Sequence, residues 1–138
     1  MTKYSTIADI EQHAPLTVAY VGVTAWEEGH GKPIECDLWR VTLTGNGGFW
    51  STDYRTGLGL RKAGRPCKPR KADIMHCLIS DASAADENFT DWCETFGYSD
   101  DSIKALNTYK ACIETARALR KYIGREDLAA IAELLKDY

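Results

Sequence analysis

The sequence predicts an α+β domain: an N-terminal antiparallel sheet of three to four strands packed against three to four C-terminal helices. Two observations carry this. Residues 16–54 alternate bulky apolar with smaller or polar side chains and break at glycine-rich turns, whereas residues 72–138 repeat apolar positions at helical spacing. Sheet segments come first and helices after, without alternation, which is the α+β layout rather than a parallel α/β one. A chain of 138 residues buries roughly two-thirds of its unfolded surface, so one domain over 1–138 suffices. Within it, 1–54 is mainly β, 55–71 a basic loop and 72–138 helical.

In chain order, Ile7 to Ile10 suggest a helical turn, and Pro15 leads into LTVAYVGVTAW. There Leu16, Val18, Tyr20 and either Gly22 or Val23 share a face, as in a strand. EEGHGKPIE reads as a connection. In CDLWRVTLT the bulk of Trp39, Val41 and Leu43 marks the covered face. GNGG at Gly45–Gly48 holds the Asn-Gly pair that favours a type I′ hairpin, and FWSTDY returns as the partner strand. One face of such a sheet needs a cover, which the helices after residue 70 supply. KADIMHCLIS groups Ile74, Met75, Cys77 and Leu78 on one helical face, with Pro69 tolerated near its start. The last helix, REDLAAIAELLKDY, turns Leu128, Ile131 and Leu134 or Leu135 inward.

The strongest pattern lies between Asn88 and Ile123. Phe89, Trp92, Cys93 and Phe96 fall at i, i+3, i+4 and i+7, one face of a helix. Gly97 ends it as a left-handed cap. Ser99 is the expected N-cap of the next helix, with Asp100 and Asp101 in its first turn, Arg117, Arg120 and Lys121 near its end and Gly124 closing it. The block F-x-x-W-C-x-x-F-G-Y-x-x-D-S-x-K-A-L-x-x-Y-x-A-C, Phe89 to Cys112, resembles one found in small proteins encoded by bacteriophages and prophages. The resemblance extends upstream through KPRKADIMHCLISDA and the aromatic strands. It implies a phage accessory protein made in a bacterial cytoplasm, and it brings no activity to any residue.

Charge is sharply divided along the chain. From Arg55 to Lys71 there are seven bases (Arg55, Arg61, Lys62, Arg65, Lys68, Arg70, Lys71) and no acid. With its glycines and prolines this stretch is expected to be an exposed, mobile loop. From Asp81 to Asp101 there are seven acids (Asp81, Asp86, Glu87, Asp91, Glu94, Asp100, Asp101) and no base. A net charge of −3 conceals this division, which bears on partners rather than on fold. The basic loop is the candidate for gripping phosphates or a partner, aided by Trp26, Trp50 and Tyr54 if these face solvent. Otherwise it is solvated or pairs with the acidic segment. Asp86, Glu87, Asp91, Glu94, Asp100 and Asp101 form the candidate partner-binding patch, able to mimic nucleic-acid phosphates before a basic groove. The plainer alternative is a dipole-matched helix start.

Other chemistries find little footing. Five cysteines form no C-x-x-C pair, so neither a disulfide framework nor structural zinc is expected, and Cys77, Cys93 and Cys112 read as small buried hydrophobes. His13, His30 and His76 are the only bases for a cysteine nucleophile, and no activating context surrounds them. Gly57-x-Gly59 with Gly64 matches neither a phosphate loop nor a dinucleotide fingerprint. Glu35, Asp37 and Asp53 are dispersed along strands. No catalytic residue, metal or cofactor is therefore expected, and no membrane span or signal peptide. By analogy with phage accessory genes in general, the expected function is a non-enzymatic inhibitor that docks on a host defence complex such as a CRISPR nuclease and blocks nucleic-acid access. The alternative is a nucleic-acid-binding accessory of phage replication or recombination. A helix-mediated dimer stays open.

Overall fold

The computed structural model describes residues 3–26, 32–45 and 47–138. Glu27–Gly31 of the expected connection, Asn46 of the hairpin turn and the side chain of Trp26 lie outside them. Helix α1 (Ile7–His13) precedes strands β1 (Leu16–Trp26), β2 (Ile34–Gly45) and β3 (Gly48–Gly57). A 3-10 turn (Leu58–Leu60) and an extended segment lead to α2 (Lys71–Ala84), α3 (Phe89–Phe96), α4 (Ile103–Tyr122) and α5 (Arg125–Leu135). The fold is α+β, and its antiparallel sheet runs β1-β2-β3.

Helix α1 is longer than the single turn expected, because its start is capped at both ends of a reciprocal box. Thr6 Oγ1 accepts the Asp9 N–H at 3.3 Å, and the Asp9 carboxylate accepts the Ser5 and Thr6 N–H groups at 2.8 and 2.9 Å. In β1 the ambiguity between Gly22 and Val23 turns out to be a bulge. Tyr20 pairs with Trp39 and Gly22 with Leu38, so Val21 is the extra residue and Val23 falls opposite Asp37. In β2, Trp39, Val41 and Leu43 are buried as expected. Gly45 and Gly48 pair at the end of the β2–β3 ladder, and Gly47 has φ +94°, as a tight hairpin turn requires.

The covered face packs on the helices. Val41, Leu43, Ile74, Met75, Leu119 and Ile131 are completely buried in one core, with Trp50 and Tyr54 packed against it. Helix α2 is anchored from a distance: the Glu11 carboxylate accepts the Lys71 and Ala72 N–H groups at 3.1 and 2.8 Å, satisfying donors that a helix start leaves open. Ile74, Met75 and Leu78 are buried, but Cys77 is exposed. Its position on the helical wheel falls at the margin of the stripe that the other three define.

A second, smaller core holds the α3–α4 corner. Trp92, Cys93 and Ala105 are buried there, with Phe89, Tyr98 and Tyr109 packed around them. Tyr98 stacks on Trp92 at 5.1 Å. Gly97 ends α3 as expected, at φ +75°, and Asn88 caps its start. The start of α4 differs from expectation. Ser102, not Ser99, is the N-cap, accepting the Ala105 N–H at 3.2 Å. The Ser99 hydroxyl is engaged instead by the Asp101 carboxylate, so Asp100 and Asp101 precede the helix and its first turn carries no acid.

The division into a main core and surface positions gives a direct stability test. Leu43→Ala should cost about 2–5 kcal/mol in urea unfolding, whereas Thr44→Ala, on the exposed face, should stay within about 0.5 kcal/mol. Similar values for the two would contradict the assigned face.

Candidate interaction surfaces

The basic stretch is not the open loop expected. Arg55 belongs to β3 and Lys71 begins α2. Arg61 folds back onto the sheet, where its Nε donates to Asp37 Oδ2 at 2.9 Å and its second guanidinium nitrogen to Asp37 Oδ1 at 2.6 Å. Asp37 Oδ1 also accepts the Tyr20 hydroxyl at 2.9 Å. Both carboxylate oxygens of a residue only 1% exposed are thus satisfied, as a buried charge requires. The Arg61 bonds hold the Asp37 carboxyl below the usual carboxylate range. Burial and then the Asp37 hydrogen bond push the Tyr20 phenol up.

Two further bases are engaged. Arg70 pairs with Glu11 at 3.7 Å, and Lys71 Nζ donates to the Ala14 carbonyl at 3.0 Å. Between Arg61 and Arg70, Lys62 and Arg65 bridge a turn in which Ala63 and Gly64 take φ of +50° and +73°. Arg55, Lys62, Arg65 and Lys68 remain exposed, and so does Arg70 despite its pair, so five of the seven candidate bases can still meet a partner. Of the aromatic residues that would aid them if facing solvent, Trp26 lies outside the described side chains and the other two do not join in. Trp50 and Tyr54 lie on the covered face and pack against the main core, because they pair with Leu43 and Trp39 of the buried β2 register.

Asp37 is the residue that sequence reasoning passed over, dismissed as one of several dispersed strand acids. The signal was in the alternation: an odd-numbered neighbour of Trp39, Val41 and Leu43 must point to the covered face. A carboxylate there needs a cation, and Arg61 is the one that the 3-10 turn delivers.

Asp91, Glu94, Asp100 and Asp101 sit at the α3–α4 corner, on α3 or just before α4, whereas Asp86 follows α2 and lines a groove with Arg120 and Arg125. Asp86, Asp91, Glu94, Asp100 and Asp101 are exposed and Glu87 is half-buried. Asp91 stands in the first turn of α3, and Glu87 accepts the Thr95 hydroxyl at 2.8 Å. Among the described residues, none of these six acids or Asp81 enters an ion pair with a base. The basic stretch forms no ion pair with them; its engaged side chains are tied to Asp37, Glu11 and the Ala14 carbonyl. The same corner exposes large apolar side chains: Phe96 at 50%, Ile103 at 77% and Leu106 at 38%. Phe96 closes α3, and Ile103 and Leu106 share a face of the first turns of α4.

The cysteines are all free. Cys93 is buried as expected and Cys112 half-buried, while Cys77 is exposed. Desolvation by the surrounding protein, partial at Cys77, pushes the thiols of Cys77, Cys93 and Cys112 up, with Asp81 adding to the effect at Cys77 and Cys112 and Asp100 at Cys93. These surroundings oppose a reactive thiolate. Among the described residues no group of three or more His, Cys, Asp or Glu could hold a metal ion, and no helix is long and apolar enough to cross a membrane.

Two measurements test these assignments. Iodoacetamide at neutral pH should label Cys77, Cys93 and Cys112 more slowly than a free thiol peptide; rapid labelling of one would identify an activated thiolate. Because the Asp37 carboxyl is lower in the folded protein, its contribution to stability is full above the ordinary carboxylate range and is lost as pH falls through the folded value. The stability gap between the native chain and Asp37→Asn should therefore be constant near neutrality and close in acid. At neutral pH it should exceed the loss from Asp53→Asn, whose exposed pair with Arg40 contributes at most about 1 kcal/mol. Comparison with family models, with curated proteins and with solved structures finds no match for this chain.

Proposed function

We propose that this chain is a non-enzymatic binding protein that docks its acidic α3–α4 corner into a cationic groove on a nucleic-acid-handling partner and so blocks nucleic-acid access. The observation that carries the reading is the absence of any ion pair at those acids among the described residues, alongside exposed Phe96, Ile103 and Leu106. Unpaired like charges steer encounter with a basic surface, and desolvated apolar residues then hold the contact. Stacking of Tyr98 on Trp92 and the Tyr109 hydroxyl bond to the Glu87 carbonyl at 2.6 Å brace the corner, which lowers the ordering cost of binding.

The resemblance of Phe89–Cys112 to a phage-encoded block supports a more specific form of this reading. In it the partner is a host defence complex, such as a CRISPR nuclease or surveillance assembly, and the site of action is the bacterial cytoplasm. A nucleic-acid-binding role through the basic stretch draws less support. Arg61, Arg70 and Lys71 are already engaged, and Trp50 and Tyr54 are covered.

The test is capture from a bacterial host followed by competition. The native chain should retain a basic, nucleic-acid-binding complex and displace nucleic acid from it. The triple variant Asp91→Lys, Glu94→Lys and Asp101→Lys, with an unchanged circular-dichroism spectrum, should lose both properties by about a hundredfold or more. Unaltered capture by that variant would sink the acidic-corner reading.

A further inference from the structure

A second surface, at the opposite end of α4 from the acidic corner, combines three features that the docking reading does not use. Glu114, Arg117, Ala118 and Lys121 lie at i, i+3, i+4 and i+7 of α4 and so form one stripe. Together with Phe49, Trp50 and Tyr122 they line a groove of about 410 Å³. Ala118 is buried at its floor, while Glu114, Arg117 and Lys121 are exposed.

The groove owes its wall to the hairpin glycines. Tyr122 lies against them so closely that a Cβ on Gly45 would come within 3.0 Å of Tyr122 Cδ1. Lys121 Nζ stands 5.3 Å from the centroid of the Tyr122 ring. Beside these, Phe49 presents its ring to solvent at 70% exposure, near the β2–β3 turn. Arg117 and Lys121 form no ion pair among the described residues.

We propose that this groove binds a nucleoside phosphate, either free or as one unpaired nucleotide of a single strand. An exposed aromatic ring offers a stacking face to a base. Two cations at successive turns of one helix offer charge to a phosphate, and Glu114 supplies the acceptor that the amino and imino groups of a base edge need. The volume falls within the range of small-ligand sites, about 300–1,000 Å³. Inorganic phosphate would use only the cations, and an apolar ligand only the rings; a nucleotide uses the whole lining. Leu106 and Glu114, the nearest members of the two surfaces on α4, are eight residues apart, roughly 12 Å along the helix, so this site and the acidic corner do not overlap.

Isothermal titration with GMP, a single-stranded DNA hexamer and inorganic phosphate decides the matter. GMP or the hexamer should bind saturably, and phosphate alone much more weakly. Binding by GMP identifies a free nucleotide as sufficient, and binding by the hexamer alone identifies a strand. Phe49→Ala and the double variant Arg117→Ala, Lys121→Ala should each weaken binding about tenfold, whereas the lysine reversals at Asp91, Glu94 and Asp101 should not weaken it. All are surface changes, and circular dichroism confirms the fold of each. No saturable binding at millimolar GMP or hexamer would overturn the proposal. So would phosphate matching GMP, or unchanged affinity in both groove variants.

Discussion

The ion pair between Arg61 and Asp37 is the constraint that ties the basic stretch to the sheet. A carboxylate on the covered face of β2 cannot stay charged without partners, since an isolated buried charge is among the costliest groups a fold can hold. Arg61 answers both oxygens and Tyr20 one of them. In doing so Arg61 pulls the segment after β3 back onto the sheet. Glu11 does the same at the other end of that segment, holding Arg70 and the start of α2. Arg61, Arg70 and Lys71 are therefore held on the sheet side, and the acids of the α3–α4 corner enter no ion pair among the described residues.

Two cores of unequal size support this arrangement. The main one fixes α2, α4 and α5 against the sheet through completely buried aliphatic side chains. The smaller one rests on Trp92, Cys93 and Ala105 and depends heavily on aromatic contacts. Trp92 lies between the rings of Phe89, Phe96, Tyr98 and Tyr109, and its indole N–H finds no acceptor among the described residues. Long α4 links the two, carrying the acidic corner at one end and the aromatic, cationic groove at the other. A surface mounted on a separate small core can be remodelled without disturbing the sheet, which suits a recognition element.

Much of this was legible in the sequence, and the failures have physical reasons. Period-two alternation placed Trp39, Val41 and Leu43 inward, and Gly97 marked the end of α3, because both signals depend on local geometry alone. The bulge at Val21 appeared only as an unresolved choice between Gly22 and Val23. The start of α4 was misplaced by three residues because Ser99 and Ser102 are both competent caps, and the Asp101 carboxylate takes the first out of contention. Cys77 was set inward because its spacing sits at the edge of the apolar stripe. The interception of Arg61 by Asp37, 24 positions away, was invisible to composition, which counted bases and acids by stretch. Trp50 and Tyr54 were assigned to solvent or core only conditionally, and the strand register resolved them inward. The groove at Phe49 was missed because it joins a hairpin to a helix some seventy residues later.

The central claim is that the acids of the α3–α4 corner, which enter no ion pair among the described residues, form a docking face. An amide chemical-shift map recorded during titration with a short lysine- and arginine-rich peptide tests this most directly. The account predicts saturable shifts concentrated on residues 86–106, reaching the exposed Phe96, Ile103 and Leu106. Shifts scattered evenly over the acids of α1, α5 and the sheet, or none at the corner, would contradict it.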